Sequence, residues 1–168
     1  AARVLGDFVD HRAPLVGPTE LLLGRIALVA AWMLMLTGPL VTGSGPHAGD
    51  ATAKRFAYSI PDVVRVHSIN MWIFLVTVAV LLVLLARSRA PRAILRRGQL
   101  LLGVIVLQGA IGYTQYELGI PEGVVLAHIA GATVLLGTAI WFHLGLSGPV
   151  PTELRCLPDE PATSRTLA

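Results

Sequence analysis

Two stretches of the chain repeat one small pattern. Pro61-Asp62-Val63-Val64-Arg65-Val66-His67 and Pro121-Glu122-Gly123-Val124-Val125-Leu126-Ala127-His128 each run proline, acid, a Val-Val pair and, after two more residues, a histidine. Proline and an acid suit the first turn of a helix, where N–H groups lack partners and the helix dipole favours negative charge. Each stretch therefore opens a helix and places an imidazole in its first two turns. Two imidazoles at matched depth on parallel helices can take opposite faces of one flat cofactor, and a haem with two axial histidines fits that arrangement. Taken singly, either histidine reads more simply as an interfacial residue reaching water; the repeat and the matched depth favour the shared ligand.

The elements that must carry these histidines are apolar. The 168 residues are 54% hydrophobic and 14% charged, whereas charged residues approach a quarter of an ordinary soluble domain. The bilayer is the expected solvent. Disorder and a disulfide scaffold are excluded by the low charge and by Cys156 being the single cysteine. A net charge of +3 could suggest nucleic acid as a partner, but the arginines bunch at the ends of apolar runs, which is an orientation signal for a membrane. No nucleic-acid role is expected.

Four charge-free stretches, Ile26 to Gly49, Val66 to Ala86, Gly98 to Tyr116 and Gly123 to Thr152, are each long enough to cross a hydrocarbon layer of roughly 30 Å. They predict helices near 21–43, 64–86, 98–117 and 122–146. The fold class is an all-α integral membrane protein, a four-transmembrane-helix bundle of two repeated helical hairpins, 21–86 and 98–146. Leu36-Thr37-Gly38 and Leu107-Gln108-Gly109 rhyme at equivalent places in the two hairpins.

Short cytoplasmic loops carry the excess of Lys and Arg. Arg87, Arg89, Arg92, Arg96 and Arg97 between the second and third spans put that link inside, with both termini. Ten basic residues then lie inside, and Lys54, Arg55 and Arg65 outside. Residues 1–20 read as a cytoplasmic lead-in, with His11 solvated. Residues 147–168, rich in Pro, Thr and Ser, read as a flexible cytoplasmic tail dispensable for chemistry. The chain begins at Ala1 without Met, which is read as processing or as a piece of something longer.

Other residues suit a porphyrin. Gly131 and Ala132 follow His128 on the same helical face and would let a planar group approach the backbone. Asn70, one turn after His67, can hold a ring nitrogen, a propionate or a water. Gln108, Gly112 and Gln115 form a polar and small stripe facing inward, with plain helix packing as the competing account. Trp32, Trp72, Trp141, Tyr113 and Tyr116 read as lipid-interface or core aromatics. His143 lies about 22 Å below His128 with no histidine at its depth elsewhere, so one haem is expected rather than two. The first outer loop, Val41 to Asp50, is glycine-rich, and its N–H groups, His47 and Asp50 can meet a propionate.

Thr42-Gly43-Ser44-Gly45-Pro46-His47-Ala48-Gly49-Asp50 after a first helix, His67 opening the next, and Gln108-Gly109-Ala110-Ile111-Gly112-Tyr113-Thr114-Gln115-Tyr116 leading to His128 together closely resemble the haem A synthase family. The resemblance covers residues 20 to 146. It implies an oxidoreductase of cytochrome oxidase assembly that oxidises a methyl group of haem O to the formyl group of haem A. Typical members have eight helices in two halves, and this chain resembles the C-terminal half. By that resemblance His67 and His128 are the axial ligands of a haem b, with Gly131, Asn70 and His47 as weaker cofactor contacts. The catalytic residues are unknown here and expected in an N-terminal half. That half usually brings an outer-loop glutamate and, in many members, a cysteine pair, and residues 44–63 hold neither Glu nor Cys. Implied partners are haem O as substrate of the complete enzyme, an N-terminal half or a second copy of the chain, and haem O synthase and terminal oxidase assembly factors. The implied location is the bacterial plasma membrane. The alternative reading is a small b-type cytochrome anchor of an electron-transfer complex; a cofactor-free transporter or structural protein is a third.

Overall fold

A computed structural model describes residues 12–46, 52 and 54–149. Four long helices dominate it: α1 (Pro18–Ser44), α2 (Ile60–Arg87), α3 (Arg92–Glu117) and α4 (Glu122–Gly145). At about 1.5 Å per residue each is long enough, and apolar enough, to cross a bilayer. The protein is a multi-pass helical membrane protein of the expected class.

The helices begin earlier than the charge-free stretches suggest, and proline sets where. Pro18 and Pro61 stand at the first turns of α1 and α2, and Pro91 and Pro121 immediately precede α3 and α4. Proline's fixed φ and missing N–H fit those places. Asp62 and Glu122 lie in the first turns of α2 and α4, and Arg87 and His143 in their last turns, all matched to the helix dipole. In α3 the charges oppose the dipole, with Arg92, Arg96 and Arg97 near its start and Glu117 at its end. A terminal charge on a dipole is worth about 0.3–1 kcal/mol, whereas moving an arginine to the bilayer centre costs about 2.5–3.5 kcal/mol. Keeping the arginines out of the hydrocarbon therefore sets the direction of α3.

The links at the two hairpin ends are tight. Ser88 to Pro91 joins α2 to α3, with Arg89 at φ 55° and Ala90 N–H donating to Leu85 O at 2.9 Å. Leu118 to Pro121 joins α3 to α4, with Gly119 at φ 75° and Ile120 at φ 63°. A β-branched residue rarely accepts that left-handed backbone. Ile120 N–H closes on Gln115 O at 2.7 Å, and this bond holds the turn.

Each helix packs on its neighbours in sequence, and α1 also packs on α4, closing a ring in which the diagonal pairs make at most marginal contact. The core is confined to one end of this ring. Buried side chains come from Ala27, Ala30, Ala31 and Leu34 of α1, Phe74 to Leu85 of α2, Ile94 to Ile105 of α3, and Leu135 to Phe142 of α4, with Leu146 beyond. In the other half of the bundle, among the described residues, only Ser44, Gly45 and Gln108 are buried.

The ends of the described chain meet beside that core. β1 (Arg12–Pro14) and β2 (Ser147–Pro149) form a two-stranded antiparallel ribbon. The Arg12 guanidinium donates to Leu144 O at 2.9 Å, a carbonyl that the end of α4 leaves without a helical partner, and to Ser147 O of β2 at 2.6 Å. Residues 147–149, expected to begin a loose tail, are thus paired with the lead-in. The rest of that tail, with Cys156, and His11 lie outside the described residues.

Candidate functional site: a paired-histidine cavity

Where the diagonals fail to pack, the half of the bundle away from the core is hollow. A cavity of about 910 Å³ is lined by all four helices, at the upper end of the roughly 300–1,000 Å³ usual for ligand pockets. Leu34, Phe74, Ile105 and Leu135, one from each helix, line it and are also buried core residues. They form its floor.

His67 and His128 line the same cavity from α2 and α4, the two helices across the diagonal. They stand about 10 Å and about 9 Å along their helices, so the repeat has put them at one level. Their ring centres are 6.4 Å apart and the rings are inclined at 73°. Two imidazoles sharing a metal, each through a bond of about 2 Å, would have ring centres about 6 Å apart. Among the described residues no three His, Cys, Asp or Glu side chains converge. A metal held by the pair would have to take its remaining ligands from outside the described residues.

The rings are held differently. Thr37 Oγ1 lies 2.9 Å from His67 Nδ1 and 2.9 Å from Met33 O. A carbonyl only accepts, so the hydroxyl proton goes to Met33 and the lone pair faces His67, which donates from Nδ1. That tautomer leaves Nε2 with its lone pair, the form a metal requires. His128 Nδ1 is buried and has no hydrogen-bond partner among the described residues. Its ring is set by Gly112, where a Cβ would stand 3.1 Å from the imidazole Cε1.

The other expected cofactor contacts divide. Asn70 does not line the cavity; its amide donates to Ala30 O at 3.4 Å and ties α2 to α1. Gly131 does not line it either. The space a side chain would take there is filled by the amide of Gln108, which donates to His128 O at 3.2 Å. The small residue thus serves helix packing between α3 and α4, while Ala132 lines the cavity. His47 and Asp50 lie outside the described residues, but Gly43, Gly45 and Pro46 of the same motif line the mouth. Phe56 packs on Gly43 there, with its N–H donating to Gly43 O at 2.9 Å.

Tyr113 and Tyr116, expected at the lipid interface or in the core, are 45% and 40% exposed and also edge the cavity. Tyr113 accepts from Trp72 Nε1 at 3.0 Å. His143 is remote from the pair; its Nδ1 donates to Gly24 O at 3.2 Å, clasping α4 to α1. The role of Thr37 was missed by sequence reasoning, although the rhyme of Leu36-Thr37-Gly38 with Leu107-Gln108-Gly109 marked both Thr37 and Gln108. Each serves the histidine helix of its own hairpin.

The fold and site define a class: four-helix membrane proteins that offer two imidazoles across a central cavity. In sequence, the chain is similar to the heme A synthase of Sinorhizobium medicae (strain WSM419), with 34% identity over 88 residues. The match takes in 52% of this chain and 24% of that protein, so the chain's relationship to haem A synthases is a partial one, carried by about half of its length. No family model matches the chain, and no solved structure matches it.

Proposed function

We propose that the chain binds one haem, a haem b, between His67 and His128, and serves as the haem-carrying half of a haem A synthase. The observation that carries the reading is the imidazole pair, 6.4 Å apart on diagonal helices and facing one cavity. The orphaned Nδ1 of His128 and the neutral donor–acceptor pairing of His67 with Thr37 fit axial ligation through the opposite ring nitrogens. When bound, haem supplies an iron that carries one electron. The chain's own residues hold the two imidazoles, surround the macrocycle with apolar side chains and keep water from its inner side through the floor of Leu34, Phe74, Ile105 and Leu135. In this reading the complete enzyme oxidises a methyl group of haem O to the formyl group of haem A. Its oxidation site belongs to an N-terminal half or to a second copy of this chain, and haem O synthase and oxidase assembly factors are its neighbours in the bacterial plasma membrane.

The partial likeness to a heme A synthase supports this reading over that of a small b-type cytochrome anchor, which needs the same histidines but not the glycine-rich loop. The reduced-minus-oxidised visible spectrum of the detergent-purified chain, with a pyridine haemochrome assay, tests it. Sharp low-spin b-type bands are expected. A protein that stays colourless after haem is supplied overturns it.

A further inference from the structure

The two histidines occupy repeat-related places, yet only His67 has a partner for its Nδ1. We propose that Gln115 is the missing counterpart of Thr37: its amide oxygen accepts the proton of His128 Nδ1, fixes the tautomer and leaves Nε2 free to ligate. Gln115 Oε1 and His128 Nδ1 are both buried and both without a hydrogen-bond partner among the described residues. Both residues line the cavity. Gly112 lies against the His128 ring, and Gln115 stands three residues further along α3, on the same face. Helical side chains lean toward the N-terminus of their own helix. On α3, Gln115 therefore leans back to the level of Gly112; on the antiparallel α4, the His128 ring leans out toward Gln115. Gln108 leans in the same direction but starts one turn deeper than Gly112, so it leans away from the ring, where its amide meets His128 O and covers Gly131. Gln108 Oε1 is likewise buried and without a partner among the described residues, but the nitrogen of its amide is held at His128 O, so a turn of the Gln115 side chain is what joins an acceptor to His128 Nδ1.

Neutral imidazole carries one donor and one acceptor nitrogen, and the partner of one fixes the role of the other. The tautomer itself does not depend on haem; its use in ligation rests on the function proposed above. The experiment is ¹⁵N NMR of the histidine ring nitrogens in the haem-free full chain, with His128→Ala assigning the resonance. His128 is expected as the Nδ1–H tautomer in the native chain and in Gln115→Glu, which keeps an acceptor. Gln115→Leu is expected to shift it to a tautomer mixture, while Gln108→Leu leaves the tautomer unchanged. An unchanged His128 tautomer in Gln115→Leu overturns the proposal, as does a switch produced by Gln108→Leu alone. A thermal melt of each variant confirms that folded proteins are being compared. In the haem-loaded chain, losing such an outer partner weakens metal affinity roughly tenfold to a hundredfold, and Gln115→Leu is expected to do so with Gln115→Glu restoring retention. If the native chain takes no haem while the tautomer responds as stated, the ligation reading fails and the Gln115–His128 pair stands.

Discussion

Gly112 of α3 lies against the His128 ring of α4 so closely that a Cβ on it would stand 3.1 Å from the imidazole Cε1. That spacing is tighter than side chains normally tolerate, and Gly112 has Gln108 four residues before it and Gln115 three after it on the same helix face. The glycine therefore sets how far the imidazole extends into the cavity.

Gly112→Ala is expected to fold but to push the ring, at an overpacking cost of about 1–3 kcal/mol. Haem retention should fall and the visible bands should broaden. Gly103, on the same helix with nothing within 4 Å of a built Cβ, is the control, and Gly103→Ala should match the native protein in melting temperature and spectrum. Equal effects of the two substitutions would remove the steric account.

His67→Ala and His128→Ala should each abolish or strongly weaken haem retention in the visible spectrum. His143→Ala should keep the spectrum and lower the melting temperature instead. Its Nδ1 bond to Gly24 O is made to a carbonyl inside α1 that keeps its helical partner, so the loss is worth about 0.5–1.5 kcal/mol. Equal haem losses in all three variants would end the assignment of the pair.

How much of this was legible in the sequence follows from what each signal depends on. The four helices were readable because apolar length and charge are local properties, and the histidines' common level followed from their repeated helix starts. Arginines read most simply as loop residues, which puts the expected start of α3 at 98 rather than at Arg92. Arg92, Arg96 and Arg97 instead ride the first turns of α3, where Arg97 stacks on Trp141 at 4.5 Å from the ring centre. Which way a residue faces was harder. Asn70 and Gly131 were placed on plausible faces by periodicity, but the rotation of each helix is decided by its neighbours. Thus Asn70 meets Ala30 O and Gly131 meets Gln108, and neither reaches the cavity.

Phe142, 1% exposed in the inner core, tests the division between the two ends of the bundle. Phe142→Ala should cost about 3–5 kcal/mol, read as a lower melting temperature, while the haem spectrum below that temperature stays native. A changed spectrum in the folded variant would show that the two ends are not independent.

Orientation can be read with a membrane-impermeant maleimide after Cys156→Ser removes the native thiol. Ser88→Cys, in the α2–α3 turn beside the arginines, should resist labelling from outside intact cells, and Leu118→Cys, in the α3–α4 turn, should label. The reverse pattern would invert the proposed topology and place the cavity on the cytoplasmic side.

The confinement of the core to one end implies two tiers of protection against hydrogen exchange. Amides of α1 to α4 below the layer of Leu34, Phe74, Ile105 and Leu135 are anchored by packing that needs no guest, so they exchange only when the whole chain opens. Amides above that layer line a hollow, and their opening is suppressed in proportion to whatever occupies it. On the proposed function, the bundle is a finished foot beneath an unfinished head, and a cofactor entering the cavity would complete the upper part without having to assemble the lower.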